Sequence, residues 1–358
     1  MDVANQQAAA PETVIPVIRA AVLEPIGALF SRFGLNLNSV IRSAGLARIP
    51  SVSNGLYPYH DAIALLNYGA RLTGIEQMGF LLGRAGGISS LGTFGDYIAS
   101  APTLYRAMLR ATSLIKWISP QLSLAMRREG PLMVWQAIHP RGRGDGAHNG
   151  YFHTIALLIE VVRRAAGSAW NPDEVRVGTE TFATESIEEL LQARVRYCED
   201  EWAIVFSRRL LILPMMQGFD LPQTSTRQDL TDTFIPHDFT ESAKMLISSL
   251  LATHQASEDM FARVSGFSVR TFQRQLARNS GIQFRDLVRQ VRTTEARMML
   301  MNPRLRINDI AHALGYTEQA NFTRAFVRWM GMPPSEYRRS TLLQRTQHTA
   351  AQTRDIEK

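Results

Sequence analysis

The chain has a single cysteine, Cys198, among 358 residues. One cysteine excludes an internal disulfide framework and any cysteine-rich zinc site, and it fits a reducing compartment. No run of about 18 apolar residues occurs, so no transmembrane helix and no membrane partner are expected. The start lacks a basic segment followed by an apolar core, so no secretory signal is read. Hydrophobic residues make up 45% and charged residues 20%, which excludes global disorder. The expectation is a soluble, cytoplasmic protein with room for two domains.

Catalytic patterns are missing as well. Gly83, Gly86 and Gly87 are not followed by Lys and Ser or Thr, so they form no Walker loop; a turn after a helix is expected there. Ser89, Ser90, Asp96 and His60 supply the parts of a triad without a nucleophile-elbow sequence. His139, His148 and His153 match no metal-ligand spacing. They are expected on the surface or in a core. The chain is therefore expected to use no metal and no cofactor and not to be an enzyme.

Charge is unevenly placed. Residues 240–345 carry 16 basic and 8 acidic side chains, whereas residues 1–239 carry 21 and 22. The net charge of +7 thus sits in the last third of the chain. A near-neutral domain joined to a basic one suggests that the basic one meets a polyanion.

Apolar periodicity predicts a mainly α protein: an α+β N-terminal domain followed by an all-α domain. A disordered N-terminus is expected over 1–20, the first domain over 21–216, a linker over 217–238, the second domain over 239–340 and a disordered tail over 341–358. In the first domain, Asp61–Leu72 has helical spacing, and a helix starts at Ser100-Ala-Pro-Thr with Pro102 in its first turn. Gln121–Arg127 and Leu132–Ile138 alternate like a hairpin, His153–Ala166 is an amphipathic helix, and Glu174–Gly178 and Trp202–Phe206 read as strands. Gly218, Pro222 and Pro236 mark the linker, which is expected to pass the state of one domain to the other.

The last hundred residues contain a repeat. Phe261-Ala-Arg-Val-Ser-Gly-Phe-Ser parallels Ile310-Ala-His-Ala-Leu-Gly-Tyr-Thr, and Phe272-Gln-Arg-Gln-Leu parallels Phe322-Thr-Arg-Ala-Phe. Gly266 and Gly315 are 49 apart but Arg274 and Arg324 are 50 apart, so the second copy holds one extra residue. Small Ala, a turn Gly and a capping Ser268 or Thr317 are what a helix-turn-helix requires. Two copies are expected, at about 258–279 and 307–330. Phe272 and Leu276, like Phe322 and Phe326, pack inward and leave Arg270, Gln273 and Arg274 facing out. Arg and Gln make bidentate contacts to guanine and adenine in a major groove. The residues expected on DNA are Ser268, Arg270, Thr271, Gln273 and Arg274 in the first copy, and Thr317, Gln319, Asn321 and Arg324 in the second. For Arg324 a phosphate or intradomain contact is the alternative. Between the copies, Phe284, Leu287, Val288, Val291 and Met298 read as one apolar stripe on a long helix, which would space the two heads for successive major grooves about 34 Å apart.

These residues resemble the AraC/XylS family of bacterial transcription regulators. The second copy carries the family pattern, from Ile310-Ala through Gly315-Tyr and Phe322-Thr-Arg-Ala-Phe to Gly331 and Pro334-Ser-Glu-Tyr-Arg. Tyr316 in place of Phe, and Trp329-Met330, are mild departures. Ala44-Gly-Leu, Leu72-Thr-Gly, Met78-Gly-Phe-Leu-Leu-Gly, Ser100-Ala-Pro-Thr-Leu and Ala203-Ile-Val-Phe are similar to the helical N-terminal domain named for arabinose binding, shared by ornithine-utilisation and quorum regulators. The name carries no expectation of arabinose. The resemblance implies a sequence-specific regulator, more often an activator, with promoter DNA, RNA polymerase and an unidentified small-molecule effector as partners, acting as a homodimer. Arg106, Arg110 and Trp117 are effector-binding candidates, with Lys116 beside them, although a solvated helix face explains the charged ones and core packing explains the tryptophans at 117, 135 and 202. The rival readings are an architectural DNA binder without effector, or a metabolite-processing enzyme domain fused to a DNA-binding domain.

Overall fold

A computed structural model describes residues 15–49, 55–139, 147–178, 184–199, 201–216, 235, 238–251, 257–265 and 267–341. These fall into two compact units, the first over residues 1–242 with 264–266 and the second over 243–263 with 267–358. The expected linker lies almost wholly outside the described residues, as do residues 140–146 and the tail beyond 341.

The first unit combines helices with two sheets. Strand β1 (Val17–Arg19) pairs antiparallel with β2 (Leu56–Pro58). Ile15 and Val17 are fully buried, so the chain is ordered and packed from residue 15 and the disordered end expected over 1–20 is too long. The signal was hard to read because a three-residue strand shows no period. Helices α1 (Ile26–Ser31), α2 (Leu37–Ser43), α3 (Tyr59–Thr73), α4 (Met78–Gly86), α5 (Thr93–Ala99) and α6 (Leu104–Ile118) follow. Helix α6 starts after Pro102: Thr103 is its N-cap, and its hydroxyl accepts from the Arg106 N–H at 3.4 Å.

Next come β3 (Ser123–Glu129), β4 (Leu132–Ile138), α7 (His148–Ala166), β5 (Glu174–Val177), α8 (Thr184–Leu191), β6 (Arg194–Tyr197) and β7 (Trp202–Ser207). The five strands make one sheet in the order β3-β4-β7-β5-β6, antiparallel except for β5 and β6. Gly130, at φ +58°, turns the β3–β4 hairpin. Alternation divides β4: Met133, Trp135 and Ala137 enter the main core with Phe152, Ile155 and Ile159 of α7, while Val134 packs with Ala203 and Val205. On the sheet, the buried Arg176 is neutralised by Glu129 at 2.6 Å, Glu174 at 2.8 Å and Glu201 at 3.4 Å.

Helix α4 lies hard against α7. A Cβ on Gly79 would fall 1.9 Å from the Asn149 carbonyl oxygen, and one on Gly83 would fall 2.6 Å from the Ala156 Cβ. Gly83 and Gly86 therefore belong to a helix packed too closely for side chains. Only Gly87 stands in the turn that was expected of all three, at φ +54°.

The second unit is helical: α9 (Phe239–Leu251), α10 (Glu258–Val264), α11 (Val269–Ser280), α12 (Phe284–Leu300), α13 (Ile307–Ala313), α14 (Gln319–Met330) and α15, over 334–341. Helix α12 does not carry one stripe. Its first half buries Phe284, Leu287, Val288 and Val291; its second half buries Ala296 and Leu300, while Met298 is 49% exposed. At 100° per residue the two buried faces are roughly 150° apart. The first meets Phe261 and Phe272, with ring centroids 5.1 and 5.8 Å from Phe284. Beyond it, α12 reaches the second copy through Arg292, whose Nε donates to the Leu314 carbonyl at 3.1 Å. Arg297 follows, 3.0 Å from the Tyr337 hydroxyl.

Candidate nucleic-acid interface and buried cavity

The two turns are built alike. The Phe267 N–H donates to the Ala262 carbonyl and the Tyr316 N–H to the Ala311 carbonyl, each five residues back and each at 2.9 Å. Helices α11 and α14 then bury equivalent residues, Phe272 and Leu276 in one and Phe322 and Phe326 in the other. Both end on a left-handed glycine, Gly281 at φ +68° and Gly331 at φ +75°.

The starts of the helices differ. Ser268 caps α11, its Oγ accepting from the Thr271 N–H at 3.2 Å and donating to Thr271 Oγ1 at 2.9 Å. In the second copy the cap position is Glu318, whose side chain makes no cap bond, and Thr317 stays exposed in the turn. The extra residue explains this: it sits between turn and helix and moves the cap one place past the threonine expected to fill it.

Arg270, Gln273 and Arg274 are exposed on the first turns of α11. Gln319 and Arg324 are exposed on α14 and Asn321 is half-buried. Arg324 donates to Asn321 Oδ1 at 2.6 Å, the intradomain contact weighed against a base contact. A groove between α12 and α14 adds what the repeat did not show. It is lined by Arg285, Arg289, Arg292, Arg324 and Arg328. Arg285, Arg289 and Arg328 are exposed; the repeat does not point to them, because two lie on the connecting helix and Arg328 lies in the last turn of α14. Arg292 stacks over the Tyr316 ring at 4.9 Å.

The first unit holds a partly open apolar cavity of about 100 Å³. Leu23, Leu66, Phe94, Ile115, Trp135 and Leu158 are among its walls. His139 and His153 also line it, so these histidines face a cavity where no special role was expected of them. His139 is fixed: its Nδ1 lies 3.3 Å from the Tyr59 hydroxyl and its Nε2 3.5 Å from Thr154 Oγ1. A Cβ on Gly150 would lie 2.4 Å from the Tyr59 hydroxyl, so that glycine lets Tyr59 reach His139. Among the described residues, the buried Nε2 of His153 has no hydrogen-bond partner. Burial holds His139 at about 3, helped by nearby His153, and holds His153 at about 4. Both rings are therefore neutral at pH 7. A histidine on the apolar face of α7, in step with Leu157 and Val161, was the sequence signal available.

The effector candidates named from sequence sit elsewhere. Arg106 is exposed; Arg110 stacks over Tyr97 at 4.2 Å and donates to Ser100 Oγ at 3.1 Å. Neither lines the cavity, and the side chain of Trp117 lies outside the described residues. Among the described residues, no group of three or more His, Cys, Asp or Glu is placed to hold a metal, and no helix is long and apolar enough to cross a membrane.

Comparison with known proteins agrees with the two-unit layout. Residues 34–215 match the model of the arabinose-binding domain of AraC transcription regulators, N-terminal, and residues 261–340 match a helix-turn-helix domain. The transcriptional regulator VirS of Mycobacterium tuberculosis is 25% identical over 287 residues, covering 77% of this chain and 82% of VirS. The regulator VqsM of Pseudomonas aeruginosa is 38% identical over 71 residues, 20% of this chain and 22% of VqsM. Among solved structures, the transcriptional regulator CdpR of Pseudomonas aeruginosa aligns over 85% of this chain and 96% of its own, at 22% identity and a TM-score of 0.40. With half of its length matched by the N-terminal model and a duplicated helix-turn-helix behind it, the chain belongs to the AraC family of DNA-binding transcription regulators.

Proposed function

We propose that this regulator is an activator whose first unit senses a small molecule and dimerises, while its second unit reads promoter DNA with both helix-turn-helices and contacts RNA polymerase. The observation that carries the reading is the pair of matching turns joined by α12, which is buried on two faces and so holds both reading helices in one frame. Arg270, Gln273 and Arg274 read one half-site; Gln319, Asn321 and Arg324 read the other. Ser268, Thr271 and Thr317 meet the backbone near the helix starts, where free N–H groups favour phosphate. Arg285, Arg289 and Arg328 neutralise phosphates between the half-sites.

Mobility shifts of the full chain on promoter fragments, at two stated salt concentrations, test this. Specific binding should exceed binding to random DNA and fall steeply with salt, because each neutralised phosphate releases counterions. Equal affinity for random DNA would leave only an architectural role. Light scattering of the full chain tests dimerisation, and transcription in vitro with purified polymerase tests activation.

A further inference from the structure

The chemistry of the cavity in the first unit defines what it can hold. Its walls are hydrocarbon apart from Arg19, Tyr59, Ser119, His139, His153 and Thr154. Tyr59, His139 and Thr154 are committed to one another. Arg19 already holds an interaction within the protein. No Asp or Glu is among the described lining residues, so an ammonium group would meet no counterion among them. A sugar would bring several hydroxyls into a space with few open partners, and each one left unmade carries its full desolvation cost. Among the described residues, one buried side-chain polar atom on these walls has no partner: the Nε2 of His153. A cavity of about 150 Å³ takes one benzene, about 25 Å³ for each non-hydrogen atom, so one of about 100 Å³ takes about four such atoms.

We propose that the ligand of this cavity is a small, uncharged, largely apolar molecule with a single hydroxyl, and that the hydroxyl pairs with His153 Nε2. A hydroxyl serves either tautomer of the neutral ring, since it both donates and accepts. The inference rests on the reading of the first unit as a sensor and names the class of molecule sensed. It sets the domain's name aside: neither a pentose nor a basic amino acid suits these walls.

The test uses calorimetry on the full chain with isobutanol, its isostere isopentane, L-arabinose and L-ornithine. The first two bind saturably and the last two do not. In His153→Leu the affinity ratio of isobutanol to isopentane falls about tenfold, the size of one lost hydrogen bond. The ratio cancels any general loosening of the fold. In Leu157→Phe, which narrows the cavity and keeps the histidine, both probes weaken together. An unchanged ratio in His153→Leu, saturable binding of arabinose or ornithine that is lost in Leu157→Phe, or no binding of either small probe overturns the proposal. Transcription assays separate it from the sensor reading. Probes that bind as expected without altering transcription leave the ligand class standing and remove effector control. A charged effector that switches transcription with equal potency in both variants does the reverse.

Discussion

The two helix-turn-helix copies reach the same turn by different means. The first is anchored by a serine cap and by three phenylalanines, Phe261, Phe272 and Phe284, whose rings lie 5.1–6.2 Å apart. The second has no side-chain cap. It is held from outside: Arg292 clasps Leu314 and Tyr316, and Gly315 nests against the end of α9. One extra residue displaced the local device, and packing against neighbouring helices replaced it. A local cap thus secures the start of α11, and tertiary contact secures the turn before α14.

The largest test of that contrast is Gly315→Ala. Gly315 has φ +80°, and a Cβ there would lie 2.6 Å from the Leu251 backbone oxygen. Left-handed strain and the forced shift of backbone together should cost about 3 kcal/mol in chemical denaturation. Gly281→Ala, at φ +68° with open space around it, should cost only about 1 kcal/mol. Equal costs would show that Gly315 is merely a turn residue.

Next in size is the effect on DNA. Arg274→Ala should weaken specific binding by about 1–3 kcal/mol and relax the preference at one base position. Arg324→Ala should lose about 1 kcal/mol, because in the free protein that arginine must first leave Asn321. Binding selections with randomised half-sites check both. A uniform loss across sequences for Arg274→Ala would assign that side chain to the phosphate backbone.

Arg292→Met keeps the aliphatic stem and removes the guanidinium that holds the second turn. A loss of about 1–2 kcal/mol is expected, with faster amide exchange confined to α13 and α14. Exchange that rises equally in α10 and α11 would break the distinction between the copies. The smallest effect concerns the caps. Ser268→Ala should cost about 1 kcal/mol, and Thr317→Ala less than about 0.5 kcal/mol, by urea denaturation.

What the sequence made legible follows the same division. The inward Phe272 and Leu276, the glycines ending α11 and α14, and the hairpin around Gly130 depend on local spacing, and each could be read from its own neighbours. Met298 could not. A period of 3.6 locates an apolar face but does not reveal that the neighbour changes side halfway along a helix. Thr317 was misjudged because pairwise matching does not say where an extra residue is absorbed. Gly83 and Gly86 looked like a turn because glycine marks both loose backbone and tight packing, and only their neighbours in space, α7 beside Gly83 and Ser90 and Pro25 beside Gly86, decide between them. The cavity was illegible for a related reason: Arg19, Tyr59, His139 and His153 come from four separate stretches that meet only in three dimensions.

Helix α12 acts as a keyed axle, fastened on one side to each wheel. Its length sets the separation of the reading heads and its twist sets their phase, and the two cannot vary independently. One inserted residue would advance the second head by about 1.5 Å and rotate it by about 100°, out of mesh with its own groove. Seven would add about 10 Å and return it to within about 20° of register. On the proposed reading, α12 at its own length therefore fits one half-site spacing, and other spacings are met only if the DNA itself twists or bends.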